Sequence, residues 1–363
     1  MAKRVGVDKW LYCATLVLVV MGLAMVFSAS AVMAKADYNS PYYFVARQAI
    51  FGALGLIAMT LLMRVDYRSW NRASIVFPLV GTAIILMLAA FLTRDLHNTH
   101  RWIRLGPLSL EPSEIAKPAM VVFLAWFLQD RMGSIDDWRH TILPAALPSL
   151  VFIALILKEP DLGTAMVCAA VTALMLWLAG MNMKYLGYAA LAAIPVLYVM
   201  LFRVPWRRER LLAFLNPESD PLGKGYHIMQ SLIAVGSGGF HGVGYMDGAA
   251  KLFYLPEPHT DYIFANIGQE LGLIGSLAVV ALFVFIGYRG MRTALLSRDM
   301  FARFLAFGIT ATILIQAFFN ISVVLALVPT KGITLPFVSY GGTSLFIMLS
   351  LLGVLLNITK DVE

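Results

Sequence analysis

Long apolar runs, separated by short polar stretches, follow one another along almost the whole chain. A helix needs about 20 mostly apolar residues to cross the hydrocarbon core of a bilayer. The pattern therefore predicts an all-α polytopic membrane protein with ten transmembrane helices, forming a single integral membrane domain over residues 1–363. The ten runs are 10–33, 44–63, 74–92, 114–128, 141–157, 162–180, 184–202, 261–288, 302–328 and 335–357.

The composition supports this class of protein. Of the 363 residues, 60% are hydrophobic and 13% are charged, and the mean hydropathy is +0.78. A soluble domain carries roughly 25% charged residues, so a soluble enzyme with a single anchor is excluded. The net charge of +7 fits the Lys and Arg bias of cytoplasmic loops better than a nucleic-acid surface, and no nucleic-acid partner is expected.

The distribution of Lys and Arg predicts that both termini are cytoplasmic. Fourteen of these residues fall in segments that would then be inside, and six fall in the short outside loops. The inside residues are Lys3, Arg4, Lys9, Arg64, Arg68, Arg72, Arg131, Arg139, Lys184, Arg289, Arg292, Arg298, Arg303 and Lys360. The stretch 203–260, between the seventh and eighth helices, is predicted to be a large extracytoplasmic loop, although it also carries several cations.

An acidic segment stiffened by two prolines, 255–264, leads directly into the eighth predicted helix. It places Glu257, His259, Thr260 and Asp261 at the boundary between lipid and water. A carboxylate there is partly desolvated, which favours tuning of its pKa for proton transfer. The alternative interpretation is that Thr260 or Asp261 only caps the helix.

Ionisable residues also occur inside the predicted spans, where they are costly and usually functional. Glu114 and Lys117 are three residues apart, so they share one face of the fourth helix and can pair. We predict that Lys117 acts on the substrate, so that Lys117→Met lowers activity while leaving the fold largely intact. If the pair is structural, the same change should lower stability.

Other polar residues have simpler alternatives. Arg47 can extend to the interface, Asp161 can cap a helix, and Gln316 and Asn320 can hydrogen-bond neighbouring helices. However, five ionisable residues fall at outer helix ends in the predicted topology, which indicates a polar cavity open to the outside. They are Arg47, Glu114, Lys117, Asp161 and Asp261.

A glycine-rich stretch, 236–244, is only loosely similar to a phosphate-binding loop. No strand precedes it and no Gly-Lys-Ser/Thr ends it, so the dinucleotide-binding and P-loop interpretations fail. We expect it to be a close-packed loop against the membrane surface.

Five motifs together resemble the SEDS family (shape, elongation, division and sporulation), which includes FtsW, RodA and SpoVE. The resemblance covers nearly the whole chain and is greatest for the division branch, because of Pro329-Thr-Lys-Gly. The motifs are Arg101-Trp102, Pro112-Ser-Glu-Ile-Ala-Lys117, Glu159-Pro-Asp-Leu-Gly-Thr164, Leu255-Pro-Glu-Pro-His-Thr-Asp-Tyr-Ile-Phe264 and Pro329 to Ser344.

This resemblance implies ten helices and a peptidoglycan glycosyltransferase that polymerises lipid II at the outer face of the bacterial cytoplasmic membrane. Asp261 matches the acidic residue that is considered catalytic in the family, and would act as the general base. Candidate substrate-binding residues around the cavity are Arg47, Arg101, Trp102, Glu114, Lys117, Asp161, Glu257, His259, Lys331 and Ser339.

The resemblance also implies partners. They are a class B penicillin-binding protein acting as transpeptidase, which could dock on the eighth and ninth helices and the basic 289–303 stretch, and other proteins of the division septum. A divalent cation, Mg or Mn, is a further expectation, with no site identified in the sequence. Three other functions stay open: a lipid II flippase or transporter, an elongation-type polymerase, and a catalytically silent scaffold.

Overall fold

The computed structural model describes residues 6–92, 101–105, 108–220, 223, 225–249 and 255–362. Two residues used in the topology prediction, Lys3 and Arg4, lie outside these ranges. The described chain is nearly all helical, and each of the ten predicted apolar runs contains a helix. The helices are α1 (Lys9–Tyr38), α2 (Tyr43–Leu62), α3 (Ala73–Ala90), α4 (Pro112–Leu128), α5 (Leu143–Lys158), α6 (Leu162–Leu178), α7 (Met183–Phe202), α8 (Pro205–Leu215), α9 (Tyr226–Ser237), α10 (Ile263–Leu296), α11 (Met300–Val324) and α12 (Gly342–Thr359).

Within the described ranges, seven helices are long and apolar enough to cross a membrane. They are α1, α2, α3, α5 with the π-helical turn Trp138–Ile142 before it, α10, α11 and α12. The sixth and seventh runs form shorter apolar helices, Leu162–Leu178 and Met183–Val199. α4 has 17 residues and contains Glu114 and Lys117.

The core of the bundle is built around α11, most of whose residues are buried. It packs against α4, α6 and α10, while α12 packs along α2. At one end of the bundle the two described ends of the chain meet, because the Asp8 backbone N–H donates to Thr359 Oγ1 at 3.2 Å. Arg289, near the end of α10, pairs with Asp8 there at 2.5 Å. The start of α10, with Asp261 just before it, therefore lies at the opposite end.

The structure corrects two of the predictions: the fold is not purely α-helical, and the 289–303 stretch is not a loop. β1 (Ile103–Leu105) and β2 (Leu108–Leu110) form an antiparallel pair, with Ile103 opposite Leu110. Apolar residues alternate within each strand, at 103 and 105 and again at 108 and 110, a strand-like period too short to stand out from the helical pattern around it. The 289–303 stretch is mostly helical, since only 297–299 separates α10 from α11.

The predicted continuous span 261–288 is broken. Gly272 has φ +66° and ψ −162°, which is not helical. A broken helix leaves backbone donors and acceptors without partners, which is costly inside a membrane. The glycine segment, 236–244, supplies those partners: Val243 N donates to Gln269 O at 3.0 Å, and Leu273 N donates to Gly239 O at 2.9 Å.

Glycine is required where the glycine segment and α10 meet. A Cβ at Gly238 would collide with the Gly268 carbonyl, and a Cβ at Gly242 would collide with the Glu270 carbonyl. The segment is therefore close-packed, as expected, but its contact is with the backbone of α10.

Candidate functional site

The segment that leads into α10 is a series of turns, and Asp261 does not cap the helix. The N-cap is Tyr262, for which the described residues show no side-chain capping bond. The capping interpretation of Asp261 is therefore wrong. Asp161, in contrast, does cap α6: its carboxylate accepts from the Thr164 backbone at 3.1 Å and from the Thr164 hydroxyl at 2.8 Å.

Three consecutive backbone carbonyls, those of residues 259–261, are held by other parts of the chain. Tyr340 N donates to His259 O at 2.8 Å, and the Ser339 hydroxyl donates to Thr260 O at 2.6 Å. Asn320 on α11 donates to Asp261 O at 2.8 Å. This fixes the backbone of Asp261 while leaving its carboxylate for chemistry. Ser339 therefore helps to position the backbone next to Asp261.

The surroundings of the Asp261 carboxylate favour its neutral form. Burial raises the pKa of Asp261 to about 7, with further upward contributions from Glu257 and Asp161, while Arg101 and Arg210 act in the opposite direction. On one side the carboxylate faces Gly332, where an added Cβ would lie 2.8 Å from Oδ2. A carboxyl group with a pKa near neutrality can exchange a proton under physiological conditions.

Arg101 is anchored by the turn between α5 and α6. Its Nε donates to Glu159 O at 2.8 Å, another guanidinium nitrogen donates to Pro160 O at 2.5 Å, and a third lies 3.9 Å from Asp161. Trp102 follows it, half-buried. The predicted Arg101 and Asp161 are thus brought together beside Asp261.

Cations converge on the same place, and two of them were missed in the sequence. Burial lowers the pKa of Lys331 to about 8, and the nearby charges of Arg207, Arg210 and Arg101 lower it further, against the opposing effect of Asp161. Arg207 and Arg210 are three residues apart on α8, so they share one face. Arg207 is 6% exposed. The basic character of 203–260 was visible in the sequence, but the folding of α8 toward Asp261 was not.

Two further acids near this group were also missed. Burial raises the pKa of Glu159 to about 8, with Asp161 adding to the effect and Arg101 opposing it. The Glu159 carboxyl is fully buried, with no hydrogen-bond partner among the described residues. Burial also raises the pKa of Glu111 to about 8, assisted by the neighbouring Glu114 and Asp161. Both groups are largely protonated at neutral pH.

Glu114 and Lys117 pair as predicted, but in a closed network. Lys117 Nζ is 2.7 Å from Glu114 Oε1 and 2.6 Å from Gln316 Oε1, and Lys117 is 1% exposed. Gln316 in turn donates to Thr334 O at 3.1 Å. This arrangement joins α4, α11 and the segment before α12, and it fits the structural alternative for Lys117.

Arg47 and His259 lie in a different group of side chains. Arg47 donates to the Tyr43 hydroxyl at 2.8 Å and also hydrogen-bonds the Tyr340 side chain. The His259 ring is 4.5 Å from Phe44 and 5.5 Å from Tyr340, between ring centroids. Apart from the Glu114–Lys117 network, most of the predicted residues fall into two groups. The Asp261 cluster is Asp261, Glu257, Asp161, Arg101 and Lys331 with Arg207 and Arg210, and the Arg47 cluster is Arg47 and His259 with Tyr43 and Tyr340.

A buried acid within α10, Glu270, escaped the sequence analysis. It is 1% exposed, and its carboxylate accepts from the Met246 backbone at 3.0 Å and lies 2.6 Å from the Ser28 hydroxyl of α1. Glu270 therefore ties α1 to the chain that follows the glycine segment. A charged residue inside a predicted span was the available signal.

In the part of the chain that the structure describes, no three His, Cys, Asp or Glu side chains are grouped so that they could hold a metal ion.

Comparisons with known proteins agree with the fold and the motifs. Residues 9–363 match the family model FtsW/RodA/SpoVE, described as cell cycle protein. The probable peptidoglycan glycosyltransferase FtsW of Geobacter metallireducens is 40% identical over 345 residues, 94% of this chain and 92% of the relative. Stage V sporulation protein E of Bacillus subtilis is 40% identical over 363 residues, 99% of this chain and 98% of the relative.

Solved structures share the architecture. A chain from a study of the structural coordination of polymerization and crosslinking by a peptidoglycan synthase complex matches with a TM-score of 0.80 and 29% identity, over 98% of both chains. The crystal structure of the rod shape determining protein RodA of Thermus thermophilus matches with a TM-score of 0.71 and 24% identity, over 98% of this chain and 97% of that one. The full-length match to the family model and the identity to curated relatives show that the chain belongs to the FtsW/RodA/SpoVE family.

Proposed function

We propose that this protein is a peptidoglycan glycosyltransferase that polymerises lipid II, with Asp261 as the general base. The curated relatives named FtsW carry this enzyme class in their names. The observation that carries the proposal is a carboxyl group with a pKa of about 7, raised by burial and by two neighbouring acids, fixed through its backbone and close to Arg101 and Arg210. That combination suits proton removal next to a developing negative charge.

The two halves of the reaction fall to different residues. The acceptor sugar hydroxyl transfers its proton to Asp261 as its oxygen attacks the anomeric carbon of the donor sugar. The bond from that carbon to the pyrophosphate breaks, and the pyrophosphate leaves with the bonding electrons. Arg101, Arg207, Arg210 and Lys331 are placed to stabilise its charge. One base and a direct attack convert an α-linked donor into a β-linked product.

A divalent cation, Mg or Mn, is proposed to bind together with the substrate. Such ions are commonly held by one or two carboxylates and by substrate phosphates, and the ion would neutralise charge on the pyrophosphate. No step above depends on it, and its site is not assigned.

The membrane arrangement is part of the proposal. Ten spanning helices, α1 to α7 and α10 to α12, would place both termini in the cytoplasm and the 203–260 segment, with α8 and α9, outside. The position of Asp261 at the end opposite the described chain ends supports this orientation. The protein would act in the bacterial cytoplasmic membrane at the division septum. Because a sporulation protein is as similar as the FtsW relatives, the division branch is favoured only by its Pro329-Thr-Lys-Gly motif, and an elongation-type polymerase is the alternative.

A class B penicillin-binding protein is the proposed partner, since glycan strands require crosslinking. The related solved chain comes from a complex that coordinates polymerization and crosslinking. The proposed docking surface is the exposed apolar side of α10 next to α11, which includes Leu273, Ile274, Leu277 and Val284. Site-specific crosslinks from these positions should capture the partner's membrane helix, and crosslinks found only elsewhere would refute this surface.

Purified complex and labelled lipid II provide the test of the activity. We expect glycan chains on a gel from the native protein. A broken spanning helix, as at Gly272, also occurs in transporters, so lipid II flipping should be assayed in parallel. Flipping without polymerisation would reject the enzyme and favour the flippase.

The two shifted pKa values predict a narrow pH optimum for polymerisation. Activity should rise with pH through about 7, as Asp261 loses its proton, and fall above about 8, as Lys331 loses its positive charge. Lys331→Arg keeps the charge at high pH, so it should remove the alkaline limb and leave the acid limb. The measurement is kcat/KM for lipid II over a range of about four pH units that spans both pKa values. An alkaline limb that persists in Lys331→Arg would contradict the assignment of Lys331.

A further inference from the structure

A cavity of about 410 Å³ with a mostly apolar wall lies between two pairs of helices. α2 packs along α12 and α3 packs against α4, and all four helices contribute to the wall, together with α11. Along α12 the wall extends from Phe346 to Val354, about 12 Å at 1.5 Å per residue. One leaflet of the hydrocarbon core is about 15 Å thick, so the cavity matches an acyl chain in a single leaflet.

Two smaller, basic cavities lie at the end of the bundle where the chain ends meet, which is the cytoplasmic end under the proposed topology. Their volumes are about 290 and 120 Å³, and both have the Arg68–Asp361 ion pair in their walls. Arg298 lines the larger cavity and Arg64 lines the smaller one. Among the described residues no carboxylate pairs with Arg64 or Arg298. Each basic cavity therefore has one cation that can bind an added anion.

The apolar cavity ends about one helical turn from the larger basic cavity on two separate helices. On α11, Leu305 lines the apolar cavity and Ala302 lines the basic one. On α12, Val354 and Ile358 are divided in the same way. Residues three or four positions apart lie on the same face of a helix. The apolar and basic cavities are therefore neighbours along the axis of the bundle.

Trp70 marks the junction between them. It lines the apolar cavity, and Tyr67, at the start of the same 3-10 turn, lines both basic cavities. The indole Nε1 of Trp70 is buried and has no hydrogen-bond partner among the described residues. A buried donor without a partner is costly. In a phospholipid, the ester and phosphate oxygens lie between the acyl chains and the headgroup, which is the position of this donor.

We propose that an anionic phospholipid of the cytoplasmic leaflet binds here, with one acyl chain in the apolar cavity and its headgroup in the basic cavities. Arg64 and Arg298 supply positive charge to the phosphate, and Trp70 Nε1 donates to an ester or phosphate oxygen. Basic pockets between helices on the cytoplasmic side are typical sites for anionic headgroups. A cytosolic acidic peptide could use the same arginines, but it has no group that would fill the apolar cavity.

The bound lipid would join the α2–α12 pair to the α3–α4 pair. Its site is at the end of the bundle opposite Asp261, so it acts on the packing of the helices and has no part in the proposed reaction. Since a ligand that binds only the folded state stabilises it by mass action, added phosphatidylglycerol should raise the melting temperature of the native protein. Phosphatidylcholine, which carries no net charge, should not.

Native mass spectrometry counts the bound lipid directly. Full-length protein, purified in detergent, is titrated with phosphatidylglycerol or phosphatidylcholine. We expect one phosphatidylglycerol per chain and no saturable binding of phosphatidylcholine. The double variant Arg64→Gln with Arg298→Gln should bind phosphatidylglycerol about thirtyfold more weakly, the combined scale of two basic residues at a membrane surface. Arg72→Gln, at an exposed arginine just before α3 that lines neither basic cavity, is the control and should bind like the native protein.

Two further variants test the contacts outside the basic cavities. Ala58→Trp fills the apolar cavity from α2 and should abolish binding although both arginines are intact. Ala53→Trp, at an exposed position of the same helix, is its control and should bind normally. Trp70→Phe keeps an aromatic ring and removes the donor, so it should weaken binding by about three- to tenfold, the scale of one hydrogen bond. Melting temperatures without added lipid show whether each variant is folded.

Three results would overturn the lipid site. The first is equal phosphatidylglycerol affinity of the native protein and the double arginine variant, and the second is normal binding by folded Ala58→Trp. The third uses a labelled octaglutamate peptide as the rival ligand. If the peptide binds, loses affinity in the double arginine variant and is unaffected by Ala58→Trp, while phosphatidylglycerol does not bind, the arginines serve an acidic peptide instead. None of these results depends on whether the protein synthesises glycan.

Discussion

Replacing Asp261 with asparagine should reduce glycan synthesis by roughly a hundredfold or more, the usual scale for loss of a general base. The amide cannot take the acceptor's proton at neutral pH. Lipid II should still bind, because Arg101, Arg210 and Lys331 are unchanged. The measurement is glycan formation from labelled lipid II by the purified complex, with lipid II binding measured in parallel.

The same variant should fold at least as well as the native protein. Burial raises the pKa of Asp261 from 3.8 to about 7, so stability falls as the pH rises from 3.8 to about 7, and the full cost of the buried carboxylate is present above pH 7. Asparagine removes that cost, and the melting temperature at pH 8 should stay the same or rise. Asp37→Asn, at an exposed aspartate in the last turn of α1, is the matched control and should not alter synthesis. Normal glycan synthesis by Asp261→Asn would end the assignment of the base.

Lys117→Met is expected to destabilise the protein by about 3–5 kcal/mol, the usual cost of breaking a buried ion pair. The change leaves Glu114, which is 4% exposed, without its cation, and removes the partner of Gln316 Oε1. The loss would be measured as a lower melting temperature of the purified, monodisperse protein in detergent, with unfolding followed by intrinsic fluorescence. Lys184→Met, at an exposed lysine at the start of α7, is the control and should unfold at the native temperature.

The double variant Glu114→Gln with Lys117→Met separates structure from chemistry. Because no unpaired carboxylate is left buried, the double variant should recover most of the stability that Lys117→Met loses. Since Asp261 is unchanged in it, the double variant should also recover glycan synthesis. A Lys117→Met protein of native stability that makes no glycan would instead show that the lysine acts on the substrate.

The bundle was predictable because apolar runs are local features of the sequence. All ten runs contain helices, and Asp161 and Arg101 lie close enough to Asp261 to act on its charge. The break at Gly272 was not predictable by the same means, since a glycine in a helical pattern is usually tolerated. Its cause lies about 30 residues earlier in the chain, in the glycine segment that bonds to it.

The roles of the individual Lys and Arg residues could not be predicted from local sequence patterns either. Arg207 and Arg210 belong to a stretch that reads as a basic loop, and only the fold of α8 brings them to Lys331. Lys117 shows the reverse case: its spacing from Glu114 was informative, but its second partner, Gln316, is 199 residues away. Whether a lysine faces a cavity or a neighbouring helix depends on such distant contacts.

The break in α10 constrains the order in which the molecule matures. The glycine segment is synthesised before α10. Under the proposed topology it is already on the outer side of the membrane when α10 is inserted. Until it docks, the backbone groups around Gly272 are unpaired in lipid, a state that costs several kcal/mol for each group. The first two turns of α10 therefore reach their final position only with the 236–244 segment in place. A newly made chain would acquire its reactive carboxylate late in biogenesis, after the part of the protein exposed outside the membrane has folded.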